Sequence, residues 1–223
     1  MIRYNFPALF VLFFLINFSV ADAQEKRPLS HDDYDAWNDV ANPRTSDNGT
    51  LVSYEVNPQE GDGHLWLHDM QNGGKQNFAR GADAVFSPTG AFMAFRIRPQ
   101  YDSVRQAKLD GKKKDDLPQD SLGIWLAGPD SLVRFPQLKS FKVPEEGGYP
   151  WMAWLTKEQE SVKDTADADT LAGTEKKKDG GRKKKKEEGE SLAVYHAGTG
   201  GQAGFSHVTN YAFSKNGALL AFL

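Results

Sequence analysis

"DAVFSPTGAFMAF" occupies residues 83–95, and "NYAFSKNGALLAF" occupies residues 210–222. Both follow one skeleton: an aromatic residue, Ser, two variable residues, Gly, three variable residues, then Ala-Phe. In Ser87-Pro88-Thr89-Gly90 the Pro in second place and the Gly in fourth are the preferences of a type I turn. Apolar runs flank it, so the phrase reads as strand, tight turn, strand. The second copy carries Asn216-Gly217 at its turn. An earlier copy, "NPRTSDNGTLVSY" (42–54), keeps Ser46, Gly49, Ser53 and Tyr54 in matching places. A degenerate fourth copy, "SFKVPEEGGYPWMAW" (140–154), retains the Pro, the Gly pair and the Ala-Trp ending.

A second phrase follows each complete copy. "LWLHDMQNGGKQNF" begins at Leu65, "IWLAGPDSLVRF" at Ile124 and "AVYHAGTGGQAGF" at Ala193. Each reads as a short apolar strand, a hairpin turn containing Gly or Pro, and a strand ending in Phe78, Phe135 or Phe205. The unit is therefore four strands, present as residues 42–80, 83–136 and 138–205, with a fourth unit begun at 208–223. Four-stranded antiparallel units recurring at about 40 residues are the signature of β-propeller blades. The fold class predicted is all-β, an incomplete propeller of three blades and the start of a fourth. Stacked blades cover each other, which explains strands such as "AFMAF" and "ALLAF" that are apolar at every position. The small Ala94 and Ala221 fit places where neighbouring sheets approach closely.

Unit lengths differ at one place. Between its second and third strands blade one needs only "EVNPQEGDGHL", blade two inserts "RIRPQYDSVRQAKLDGKKKDDLPQDSLGI", and blade three inserts residues 155–193. All three connections are expected on the same face. Residues 164–190 hold eight Lys or Arg and eight Asp or Glu. That nearly neutral, polar stretch buries too little apolar area to offset its ordering entropy, so a disordered solvated insertion is expected at about 157–190. Acidic residues on both sides of "RKKKK" argue against a nucleic-acid patch.

The ends and composition set the context. Arg3, the uncharged run "FPALFVLFFLINFSV" (6–20) and the small residues around "ADA" have the order of a signal peptide, residues 1–23, cleaved after Ala23. The run is short for a membrane span of about 20 residues, so an exported, periplasmic or secreted protein with no remaining membrane segment is expected. Zero cysteines exclude disulfides. A net charge of −3 is too small to point to nucleic acid or membrane partners. Residues 24–41 read as a helical lead-in: Ser30 is an N-cap with Asp32 and Asp33 in the first turn. Tyr34, Trp37 and Val40 follow at spacings of three, and Asn42-Pro43 ends the helix.

No catalytic, cofactor-binding or metal-binding residue is assigned. "GFSHV" (204–208) lacks the closing Gly of a nucleophile elbow, and Ser206-His207 falls at a blade junction. "GTGGQAG" (198–204) lacks the Lys-Ser/Thr of a phosphate loop and takes the hairpin place of "QNGG" in blade one. His64, Trp66 and His68 share a strand face, which could make a metal pair. His196 sits at the repeat position of His68, where blade two has Ala127, so these read as packing or surface. His31 with its neighbouring Asp residues reads as capping and solvation.

"YDAWNDVANPRTSDNGTLVSYEVNPQEGDG", "KSFKVPEEGGY" and "VTNYAFSKNGALLAF" together resemble the N-terminal region of exported bacterial serine peptidases of the prolyl oligopeptidase family, over residues 28–223. The resemblance implies a propeller followed by a C-terminal α/β-hydrolase domain carrying Ser, Asp and His, with the propeller admitting only short or unstructured peptides. None of those catalytic residues maps onto residues 1–223, so the resemblance implies a fragment whose partners are a hydrolase domain and peptide substrates. Periodicity alone fits a second reading equally, an exported stand-alone TolB-like propeller that binds a protein and catalyses nothing. Neither reading specifies an oligomeric state.

Overall fold

The computed structural model describes residues 28–34, 37–128, 130–157 and 190–223. The signal peptide expected at 1–23 and nearly all of the Lys-rich insertion lie outside the described residues. The chain divides into two units, Met1–Tyr34 and Asp35–Leu223. In the first, helix α1 (His31–Tyr34) is a single turn. Asp33 at its third position accepts both the Ser30 N–H (2.7 Å) and the Ser30 hydroxyl (3.0 Å), the reach-back half of a capping box.

The second unit is built from strands. The first sheet runs β1 (Asn38–Thr45), β2 (Leu51–Pro58), β3 (His64–Asp69) and β4 (Lys75–Ala79). The second runs β5 (Gly81–Phe86), β6 (Phe92–Ile97), β7 (Ser121–Leu126) and β8 (Ser131–Phe135). The third runs β9 (Leu138–Lys142), β10 (Trp151–Thr156), β11 (Glu190–His196) and β12 (Gln202–Val208). A hairpin, β13 (Tyr211–Phe213) and β14 (Leu220–Phe222), begins a fourth. Within each sheet spatial order equals chain order and neighbours are antiparallel. These are the blades of an incomplete β-propeller, as the two alternating phrases predict.

The phrase's serine and glycine have one mechanical role, repeated three times. The Ser46, Ser87 and Ser214 hydroxyls accept the N–H five residues on at 2.9, 3.2 and 3.0 Å. Each serine's own N–H donates back to that residue's carbonyl, and its carbonyl accepts the glycine N–H at 2.8–2.9 Å. Gly49, Gly90 and Gly217 sit at φ 68°, 68° and 74°, left-handed backbone that glycine adopts without a Cβ penalty. Blade three lacks the serine. Its Glu146 N–H donates instead to the Lys215 carbonyl of blade four, and a Cβ on Gly147 would lie 2.2 Å from the Asn216 carbonyl oxygen.

Packing between blades explains the uninterrupted apolar strands. Met93 and Phe95 of β6 pack with Leu65 and Leu67 of blade one, while Phe92 and Ala94 face Met152 and Trp154 of blade three. Ala153 and Leu155 of β10 pack on Tyr211 of blade four. A central blade has no solvent face, so period-two alternation disappears where it is covered twice. The Phe ending each blade meets the aromatic of the next blade's second strand. The ring centroids are 4.8 Å apart for Phe78–Phe95, 4.5 Å for Phe135–Trp154 and 4.7 Å for Phe205–Phe222. Ala94 and Ala153 are fully buried at these close approaches, whereas Ala221 is exposed.

Two sequence expectations change. The helix ends at Tyr34, and Val40 lies in β1 opposite Val56, so blade one starts at Asn38 and not at Asn42. Asn42-Pro43 does not end a helix. It forms a β-bulge between Ala41 and Arg44, with Asn42 at φ 51° and Pro43 placed where no ladder N–H is required.

Candidate functional site

The described parts of the connections between second and third strands meet at one end of the stack. In blade two this connection folds as helix α2 (Tyr101–Leu109) and a 3-10 turn at Lys114–Asp116. Across the blade boundary, Asp62 of blade one accepts the Tyr101 N–H at 2.8 Å, which caps the helix that Gln100 leaves without a side-chain cap. The Tyr101 hydroxyl donates to Glu60 at 3.1 Å, and that hydrogen bond, the largest cause, raises the tyrosine pKa. On the other side Lys157 of blade three reaches the Asp115 carboxylate at 3.1 Å. Same-face placement of the three connections is thereby established for their described parts.

Beneath α2, between blades one and two, lies a cleft of about 400 Å³ whose charged wall is Asp62, Arg80, Arg96, Arg98 and Asp120. Pro58, Pro99 and Val104 supply apolar wall. The cleft shape depends on close backbone approach, since a Cβ on Gly81 would sit 2.6 Å from the Leu65 Cβ. Arg80 occupies the blade junction at φ 61°, its N–H donating to the Gly63 carbonyl and its carbonyl accepting the Arg98 N–H. The same junction recurs at Gln137 (φ 57°), whose carbonyl accepts the Lys157 N–H, and at His207 (φ 62°).

Under the cleft is a charge the sequence reading did not single out. Glu55 is 1% exposed. Its Oε1 accepts the Asn42 side-chain amide and the Asp83 N–H, both at 2.9 Å, and its Oε2 accepts Asn57 at 3.4 Å. The carboxylate therefore ties together the two bulges of β1 and β5. A buried carboxylate so satisfied is held by charge-assisted hydrogen bonds that replace its hydration. Arg98 approaches it at 3.7 Å. Arg96 is committed elsewhere, to Asp83 at 3.1 Å and to Asp120. Sequence signals for Glu55 existed: Asn42 and Asp83 stand at the same place, four residues before the phrase serine.

The histidines noted in the sequence do not converge. His64 is bonded to Asn77 (2.9 Å), His68 to Tyr54 (3.0 Å), and His196 accepts the Thr199 N–H at 3.1 Å and meets the Trp151 ring edge-on. Among the described residues no three metal-ligating side chains gather. Ser206 and His207 both lie in β12, His207 at positive φ near its end, while Thr199-Gly200 turns the β11–β12 hairpin.

No family model matches the chain, and no curated protein matches it. Among solved structures it is similar to the β-propeller domain of the Trilobed protease from Pyrococcus furiosus, reported to have an open velcro topology. That match has 10% identity over 79% of this chain and 46% of that one, with a TM-score of 0.44. It is also similar to the Pyrococcus horikoshii acylaminoacyl peptidase, at 10% identity over 79% of this chain and 26% of that one, TM-score 0.39. A prolyl endopeptidase matches at 12% identity over 78% and 23%, TM-score 0.42. The chain spans less than half the length of each of these.

Proposed function

We propose that these residues are the signal peptide and opening blades of an exported serine peptidase of the prolyl oligopeptidase type. In this reading the propeller sorts short peptides for a hydrolase domain that lies outside residues 1–223. The observation that carries it is the sequence itself: the three stretches beginning at Tyr34, Lys139 and Val208 resemble that family well beyond the generic blade phrase. The shared face of the second-to-third-strand connections agrees with it. The blade-two connection, tied to its neighbours by Tyr101–Asp62 and Lys157–Asp115, is suited to selecting what reaches the propeller mouth. Cleavage after Ala23 and export are part of the same reading.

The test is the size and reactivity of the native product. An antibody against residues 24–163 is used on source cells after labelling with a fluorophosphonate probe. A band several-fold heavier than this chain and carrying the label is expected. A heavier unlabelled band, in an extract where a known serine hydrolase is labelled, sinks the peptidase reading in favour of a binding propeller. A band at the size of this chain alone removes any peptidase assignment.

A further inference from the structure

The cleft between blades one and two carries arginines that its carboxylates leave without a close partner. Three arginines and two aspartates line it, with the Asp83 and Glu55 carboxylates beside Arg96 and Arg98. Arg96 is paired with Asp83 and Asp120, and Asp62 is engaged by the α2 N-terminus. Among the described residues no carboxylate lies within ion-pair distance of Arg80. Among these residues the sole carboxylate near Arg98 is Glu55 at 3.7 Å, beyond hydrogen-bond reach, and its oxygens already accept three other donors. So two arginines line one cleft, and both have side-chain donors to spare. Their backbones are fixed to each other by the Arg98 N–H to Arg80 carbonyl bond of 2.9 Å.

We infer that this cleft binds the terminal carboxylate of a short peptide through Arg80 and Arg98. A guanidinium presents a planar fork that matches a carboxylate with two parallel bonds. Glu55 offsets part of Arg98, and Asp62 and Asp120 on the wall repel a second negative charge, so a carboxylate monoanion fits better than a phosphate dianion. The volume, about 400 Å³, and the Pro58, Pro99 and Val104 wall suit a small ligand with some apolar surface. That the carboxylate belongs to a peptide rests on the peptidase reading; that the cleft takes a carboxylate does not. The equivalent junction between blades two and three has Gln137 in place of Arg80, and its Lys157 is already paired with Asp115.

The experiment is titration calorimetry on the full chain with Ala-Ala-Ala as free acid, the same peptide as C-terminal amide, and inorganic phosphate. The free acid binds, the amide and phosphate bind at least about tenfold more weakly, and Arg80→Asn weakens the acid by about tenfold or more. Asn tolerates the left-handed backbone at this position, and the circular dichroism spectrum checks the fold. Arg80→Lys, which keeps the charge but loses the fork, gives an intermediate affinity, and Gln137→Asn at the equivalent junction leaves binding unchanged. Absence of binding, equal binding of acid and amide, phosphate binding as tight as the acid, or an unchanged affinity in both Arg80 variants overturns the assignment. If the acid binds while the native product escapes the fluorophosphonate probe, the carboxylate site stands and the peptidase reading falls. If the product is labelled and the acid does not bind, the cleft assignment falls alone.

Discussion

The aromatic stack at each blade boundary makes a prediction that separates packing from proximity. Phe78 and Phe95 lie 4.8 Å apart at 42°, and they are 9% and 0% exposed. Phe205 and Phe222 are as close, 4.7 Å at 39°, but each is 41% exposed. Changing each of the four to Leu, singly and in pairs, yields two double-mutant cycles. The Phe78/Phe95 cycle should return a coupling of about 0.5–1.5 kcal/mol, the range for buried aromatic pairs beyond simple area burial. The upper end corresponds to about tenfold in a local opening constant. At Phe205/Phe222 water competes for both rings, and less than half that coupling is expected. Amide hydrogen exchange is the assay, because blades contact only their neighbours and opening energies are read strand by strand. Protection should fall in β6 and β7 for the first cycle and stay unchanged in β11. A coupling within about 0.3 kcal/mol of zero at Phe78/Phe95, or equal couplings in both cycles, refutes the reasoning that these stacks zip the blades.

Three further outcomes follow from single residues. Ser87→Ala strands the buried Phe92 N–H and should destabilise β5–β6 by about 1–3 kcal/mol, whereas Ser214→Ala, in a half-buried turn, costs less; amide exchange of the two hairpins ranks them. Gly123→Val places a Cβ 2.6 Å from the Phe95 ring, so it should cost about 1–3 kcal/mol, while Gly128→Val, with nothing within 4 Å, should stay within about 0.5 kcal/mol of wild type. Burial, opposed by the Ser140 hydrogen bond, raises the Tyr211 pKa above its ordinary 10.0. The folded state thus favours the protonated phenol: its stabilisation is present below the ordinary value and is lost as pH rises through the folded one. Exchange protection at the blade three–four boundary should weaken on alkaline titration, and Tyr211→Phe should abolish that step.

The parts of this fold that were legible in sequence are those with local causes. A serine hydroxyl, a glycine at positive φ and an apolar run on each side fix a hairpin without reference to the rest of the chain, so β5–β6 and β13–β14 could be read directly. Residues 37–40 could not, because Trp37 and Val40 at a spacing of three fit a helix as well as a strand. What decides is β2, the partner that pairs Val40 with Val56. The cleft was illegible for a related reason: its wall comes from separated segments around 57–63, 80–81, 96–104 and 120. Repetition nonetheless locates it. Glu55, Arg96 and Leu155 occupy one repeat position, and so do Arg80, Gln137 and His207 at the junctions. Where blade three keeps the position apolar, Leu155 packs on Tyr211 and the interface is closed. Where blades one and two carry Glu55 and Arg96, charge has entered a position that the architecture alone would fill with hydrocarbon. Desolvating such groups costs stability unless every oxygen and guanidinium finds a partner. Glu55 finds three donors and Arg96 two carboxylates, but Arg80 finds none. An arrangement that satisfies Glu55 and Arg96 and leaves one half-buried arginine facing a cleft places the opportunity for binding at that arginine.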